Sequence, residues 1–270
     1  MINRRHAMQI LGAGAFAWRI VRPEAPPRFD ALDHLEFFVS DIQRSLAFYT
    51  TIFGNQLWKN NRTARRYLKL GSTYIALEQG LELRVDHFCA GIEGFQIADV
   101  HSYLTSRKIE YRDYPSGRDL YVADPDGSRL QLGVNNSWTS LSTNTASPET
   151  FAVSGEPIFK PVGLDHILLN VSDPEKSAAF YEQVLGPVTQ RNNNRIWFQV
   201  GKSRIGLLKT PAGQRAGVNH YCVSVSSFDY ESAIQQLERA GAKIEASDVA
   251  GSPQFRDPDG YMIQVSRVAA

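Results

Sequence analysis

Four of the six histidines in the chain fall on two short patterns, each of which occurs twice. Leu32-Asp33-His34 returns as Leu164-Asp165-His166, and Val85-Asp86-His87-Phe88-Cys89 returns as Val218-Asn219-His220-Tyr221-Cys222. A neutral imidazole is the commonest metal-ligating side chain, and its charge also changes near neutral pH. A lone strand histidine is more often a hydrogen-bonded core residue, but four on a repeated pattern favour a shared chemical task. Glu36 lies two residues after His34, so in a strand it shares that face and suits a general base or a charge beside the histidines. Its counterpart in the second copy is Leu168. Cys89 and Cys222 follow His87 and His220 at the same interval and read as buried small hydrophobes rather than soft ligands. Tyr67 alternates with Lys69, and Trp197 with Gln199, which suits the walls of a cavity for a small planar or oxygen-rich substrate. Arg118, in a glycine-bearing loop, is placed to meet an anionic group.

The elements that must position these residues repeat with them. Ser40-Asp41 through Phe48-Tyr49 and Phe53-Gly54 returns as Ser172-Asp173 through Phe180-Tyr181 and Leu185-Gly186. Asp124-Pro125-Asp126-Gly127 returns as Asp257-Pro258-Asp259-Gly260, and all these matches are separated by 132 or 133 residues. One offset for four ordered matches indicates a duplication, with a first domain over residues 29–134, a Ser/Thr/Asn-rich linker over 135–160 and a second domain over 161–270. Each half divides again. A strand over residues 35–39 precedes a helix with Ser40 or Asp41 as N-cap and Gly54 as its stop. Strands are expected over 57–59, 67–70 and 73–78. The order then restarts with a strand over 88–96, a helix over 100–107, and strands over 109–111, 119–122 and 129–134. In the second half, helices are expected over 174–184 and 230–240. Asp-Pro-Asp-Gly suits a type I turn before each last strand.

This βαβββ order, the helix ending in Phe-Tyr and then glycine, and the Asp-Pro-Asp-Gly turns resemble the vicinal oxygen chelate superfamily of glyoxalases, bleomycin-resistance proteins and extradiol dioxygenases. The resemblance covers nearly all of residues 30–268. It implies an α+β fold of four βαβββ modules paired into two tandem domains, each with a curved mixed sheet forming a half-open barrel with flanking helices. It also implies a metal centre in each: His34, His87 and Gln131 in the first domain, His166, His220 and Gln264 in the second. The implied cofactor is a divalent ion, Fe2+ first, with Zn2+, Ni2+ or Mn2+ as alternatives. Gln131 and Gln264 stand where dioxygenase-like members carry glutamate, which removes one negative charge from each centre. Glyoxalase-like members use glutamine as a ligand. The implied function is a metal-dependent enzyme, dioxygenase-like or glyoxalase/lyase-like, whose small substrate chelates the ion through adjacent oxygens. The alternative is a non-catalytic small-molecule-sequestering protein of the bleomycin-resistance type.

Composition limits the other classes. A net charge of +1 gives no basis for nucleic acid or an anionic membrane as partner. Two cysteines exclude a disulfide framework. No apolar run approaches the roughly 20 residues of a transmembrane helix. Residues 1–28 read as a twin-arginine-like signal and proline-rich spacer: Arg4-Arg5, a short Gly/Ala-rich stretch with Ala15-Phe16-Ala17, then Pro23, Pro26 and Pro27. A periplasmic or secreted location is the matching expectation, with the cytoplasm as the alternative if the segment is an ordinary tail.

Overall fold

The first element, β1 (Phe29–Val39), is buried along nearly its whole length, because it runs through the centre of a sheet. The structure, a computed structural model, describes residues 25–141, 145–152, 155–192 and 194–268. The arginine pair and the Ala-Phe-Ala segment lie outside these residues. After β1 come α1 (Ile42–Phe53), β2 (Leu57–Asn60), β3 (Arg66–Leu70) and β4 (Thr73–Gln79). The second module is β5 (Val85–Ile92), α2 (Ile97–Ser106), β6 (Arg112–Asp113), β7 (Leu120–Ala123) and β8 (Arg129–Val134). Short elements α3 (Trp138–Leu141) and β9 (Ala146–Glu149) follow. The third module is β10 (Pro161–Val171), α4 (Pro174–Leu185), β11 (Val188–Asn192), β12 (Arg195–Val200) and β13 (Ser203–Lys209). The fourth is β14 (Gly217–Val225), α5 (Tyr230–Arg239), β15 (Lys243–Glu245), β16 (Gln254–Arg256) and β17 (Met262–Arg267).

The fold is therefore four βαβββ modules in two mixed sheets. One sheet has the order β6-β7-β8-β5-β1-β4-β3-β2-β9 and the other β11-β12-β13-β10-β14-β17-β16-β15. In each sheet two modules meet through their first strands, which pair antiparallel, while first and last strands within a module pair in parallel. This brings every candidate histidine strand to the middle of its sheet. Neither sheet closes into a barrel.

The helices end as their sequences dictate. Asp41 accepts hydrogen bonds from the backbone N–H groups of Gln43 and Arg44, and Asp173 does the same for Glu175 and Lys176. Gly54 and Gly186 close α1 and α4 at φ of 93° and 103°, where a side chain would be strained. The strand expected over 109–111 is displaced to β6. Lys108 turns at φ 57°, and the Ile109 N–H bonds back to the Leu104 carbonyl as part of the α2 terminus. The strand expected over 88–96 begins earlier and stops at Ile92, where Gly94 turns the chain at φ 60°.

The two halves share one continuous hydrophobic core. They also exchange contacts reciprocally through the two repeated motifs. The Tyr49 hydroxyl of α1 donates to Asp257 at 2.7 Å, while the Tyr181 hydroxyl of α4 donates to Asp124 at 3.1 Å. Asp259 accepts from the Ser40 backbone N–H, and Asp126 from that of Ser172. Each Asp-Pro-Asp-Gly turn thus seats on the helix start of the other half. No helix among the described residues is long and apolar enough to cross a membrane.

Candidate metal centres

His34 on β1 faces Cys89 on β5, and Glu36 faces His87. The register slips between Leu32 and His34, and again between Leu164 and His166 in the second sheet. A bulge of this kind re-aims side chains that regular alternation would send to opposite faces. Here it brings the buried Asp33 carboxylate within 2.8 Å of His34 Nδ1, and Asp165 within 2.5 Å of His166 Nδ1. Asp86 takes His87 Nδ1 at 2.9 Å, and Asn219 Oδ1 takes His220 Nδ1 at 2.8 Å. In all four cases the partner is the residue immediately before the histidine.

These partners determine what each ring offers. A carboxylate can only accept, so Nδ1 carries the proton and Nε2 presents a lone pair. In the first domain the Nε2 atoms of His34 and His87 are 3.2 Å apart, and Gln131 Oε1 is 3.1 Å from His34 Nε2. Three acceptors this close repel one another unless a proton or a metal cation stands among them. Two ligands about 2.1 Å from one ion at right angles lie about 3.0 Å apart. The donor set and its spacing therefore fit a divalent metal. Burial pushes the His87 pKa down to about 4 despite the hydrogen bond to Asp86, so its ring is neutral at physiological pH.

The second domain repeats the arrangement with differences. His166 and His220 bring their Nε2 atoms to 3.1 Å, and the Gln264 amide is held by donation to Ser252 Oγ at 3.0 Å. Burial, reinforced by the neighbouring His166, lowers the His220 pKa to about 3. Asp165 also receives Arg204 at 2.9 Å. Burial works against its charge, yet the hydrogen bonds from His166 and Arg204 hold its pKa at about 2.

What surrounds the two centres differs more than the centres themselves. A cavity of about 230 Å³ opens onto the first, lined among others by His34, Glu36, Arg65, Tyr67, Tyr121 and Gln131. Glu36 is buried, only 4% exposed, with Oε1 held by Arg65 at 2.6 Å and Oε2 4.0 Å from His87 Nε2. Burial raises its pKa to about 7 although Arg65 pulls the other way. Arg65 is itself braced by Glu78 at 2.8 Å. Glu36 pairs across the parallel register with Ala76, as Cys89 pairs with Gln131 and Leu168 with Gly206. The first module therefore offers Ala76 where the second module offers Gln131, and that side of the candidate centre carries no protein ligand. In the second domain the same side is filled. A Cβ added at Gly206 would stand 2.6 Å from the Trp197 ring and 2.8 Å from Leu168.

Of the residues expected to touch substrate, Tyr67 lines the first cavity, its hydroxyl accepting from Asn60 at 2.8 Å. Arg118 stands exposed at the same cavity. Trp197 sits edge-on to His166, with ring centroids 5.3 Å apart. Lys69 instead lines a separate depression and approaches the Trp138 ring at 5.7 Å. Gln199 is spent on its own hairpin, donating to the Gly201 and Ser203 carbonyls. Both lie near the ends of their strands, beyond the cavity. Cys89 and Cys222 are buried and unpaired by disulfides, and burial raises both thiols well above their usual range.

Composition did not reveal the part played by the stretch after β8. Ser137 donates its backbone N–H to Asp33 at 2.9 Å, and its hydroxyl also donates to Asp33. Its hydroxyl also meets Tyr74, whose ring stacks on His34 at 4.6 Å. Trp138 packs against Trp58 and Tyr74, and β9 adds a strand beside β2. Residues expected to be a linker therefore complete the first site. The Asp-His dipeptide, present three times, was the available signal for Asp33, Asp86 and Asp165. Arg65 had none, because its partner is fixed only by the register of β3 and β4.

Comparison with known proteins identifies the fold and the family. The glutathione transferase FosA of Serratia marcescens is 31% identical over 110 residues, which is 38% of this chain and 78% of that protein. The 2,3-dioxygenase LapB of Pseudomonas sp. KL28 superimposes with a TM-score of 0.70 at 14% identity, over 91% of this chain and 94% of that one. The Mn(II)-bound glyoxalase of Novosphingobium aromaticivorans does so with a TM-score of 0.67 at 16% identity, over 89% and 83%. The family profile described as Glyoxalase/Bleomycin resistance protein/Dioxygenase superfamily matches residues 31–83 and 163–265, and the chain belongs to that superfamily.

Proposed function

We propose that the chain is a metal-dependent enzyme of this superfamily whose reactive centre is in the first domain. The observation that carries this reading is the convergence of His34 Nε2, His87 Nε2 and Gln131 Oε1 beside an open cavity that also holds Glu36. These three atoms would hold the ion, with His166, His220 and Gln264 holding a second in the other domain. A bound divalent ion would act as a Lewis acid toward adjacent oxygens of a small substrate. Two imidazoles and a neutral amide oxygen accept Zn2+, Ni2+, Mn2+ or Fe2+, and Fe2+ is the first choice by analogy with the dioxygenases. The relative described as Mn(II)-bound keeps manganese among the candidates.

The protein's own groups support proton transfer. Arg65 holds one Glu36 oxygen, which leaves the other turned toward His87 and the cavity. Glu36 is thus placed to take a proton from a substrate carbon or hydroxyl and return it elsewhere, the role of a general base in a lyase or isomerase. Tyr67 and Tyr121 form walls that exclude water, and Arg118 meets an anionic end of the substrate at the cavity. A dioxygenase-like reaction uses the same cavity and ligands. Leu168, packed with Trp197 around Gly206, stands where the first domain has Glu36, so the second centre has no buried carboxylate at that position and is assigned a weaker or structural role. A purely sequestering protein would have no use for the buried, arginine-held Glu36. The test is reconstitution with each of the four metals followed by elemental analysis. Up to two ions per chain are expected, and no retained ion with any metal would overturn the reading.

A further inference from the structure

A second cavity, of about 450 Å³, lies between the two halves. Residues 83–88, at the start of β5, form one wall, and residues 215–218, at the start of β14, form another. These segments are equivalent in the repeat, so the cavity sits where the duplicated halves face each other. Residues 126–129 and Tyr261 complete it. Its volume falls within the range of small-molecule sites.

Its charges do not balance. Arg84, Arg129 and Arg215 all line it. Arg84 lies 2.7 Å and Arg129 3.0 Å from the same Asp86 oxygen, so two guanidinium groups share one carboxylate that His87 also uses. The other carboxylate, Asp126, is committed to the Ser172 backbone N–H at 2.9 Å. Arg215 is exposed and has no ion pair among the described residues. The arginines are held in place by rings: Arg84 lies over Phe38 at 4.8 Å and Arg129 over Tyr121 at 4.4 Å. Held guanidinium forks with donors to spare are the usual means of recognising phosphate and carboxylate groups.

We propose that this cavity binds a small oxyanion, a phosphate or carboxylate group carried by a small molecule, between Arg215 and the Arg84–Arg129 pair. Leu83 and Val218 supply apolar wall for the rest of such a molecule. The site is separate from the metal cavity, yet His87 borders both. An oxyanion that draws Arg84 and Arg129 from Asp86 leaves more of the Asp86 charge to His87. The occupant therefore communicates with the first metal centre through one hydrogen bond. The proposal stands on the arginines alone and does not depend on the catalytic reading.

Calorimetric titration of the full chain with inorganic phosphate, at ionic strength held constant with chloride, tests it. Saturable binding with a Kd of about 1 mM or tighter is expected. Arg215→Ala, at an exposed position that leaves the core untouched, should weaken it about tenfold or more. Arg28→Ala, which removes an exposed arginine paired with Glu93 far along the chain, should leave it unchanged. Malonate in place of phosphate separates the two sources: binding of phosphate alone assigns the site to phosphate groups, and binding of malonate as well assigns it to oxyanions of either kind. Absence of saturable phosphate binding would overturn the proposal. So would equal affinity in Arg215→Ala, which would place the phosphate elsewhere on the protein.

Discussion

Asp33 shows how much of the proposed first centre depends on a side chain outside the three proposed ligands. Its carboxylate fixes the proton on His34 Nδ1 and is itself fixed by Ser137. Such outer partners are worth about 10–100-fold in metal affinity. Asp33→Asn is therefore expected to weaken the first site by that factor and leave the second unchanged, read by competition against a chelating dye. Glu36 makes a different prediction. One of its oxygens is held by Arg65 and the other stands 4.0 Å from His87 Nε2, so Glu36→Gln should bring the metal affinity of the first site down toward that of the second without emptying it, while lowering turnover of the metal-loaded protein by about 10²–10⁴-fold, the usual contribution of a general base. Loss of metal without a selective loss of turnover would make Glu36 a structural charge instead. Arg65→Ala should destabilise the fold by about 3–5 kcal/mol where Glu36 is ionised, because it leaves a buried charge unpaired.

At the scale of elements, the helix starts and the Asp-Pro-Asp-Gly turns act as one device. Tyr49→Phe removes the hydroxyl that satisfies Oδ2 of buried Asp257, whose Oδ1 keeps the backbone N–H groups of Asp259 and Tyr261, and a cost of about 1–3 kcal/mol follows from leaving Oδ2 without a donor. Urea unfolding should show a lower midpoint with an unchanged slope. Much of this scale was legible beforehand. The βαβββ order, the caps at Asp41 and Gly54 and the histidine strands all follow from period, capping chemistry and repetition. What was illegible has physical causes. Alternation says which face a residue shares but not how far along the strand the cavity extends, so Lys69 and Gln199 were placed with Tyr67 and Trp197 and lie outside it. A bulge depends on the partner strand, so the approach of Asp33 to His34 cannot be read from one strand. Residues 135–160 have the composition of a spacer, yet Ser137 and Trp138 acquire partners only once β1, β2 and β4 are assembled.

The whole molecule joins two similar centres through a common core, and its asymmetry is what gives it a direction. Both domains keep two lone-pair-donating histidines and an aspartate behind the first of them, but the first adds Glu36 on the cavity side, where the second has Leu168, and the α3 segment behind His34. A carboxylate near a dication adds attraction that Leu168 cannot. Because the core is continuous, both halves should unfold in one transition, and metal at either site should raise its midpoint by mass action. The central claim is that the first centre binds metal more tightly and is the reactive one. It is tested most directly by titrating metal-free wild type, His34→Ala and His166→Ala with Mn2+ or Zn2+ and counting the sites of each affinity. The account predicts a tighter and a weaker site in the wild type, with the tighter site lost in His34→Ala and retained in His166→Ala. A tight site that survives His34→Ala and disappears in His166→Ala would contradict it and move the function to the second domain.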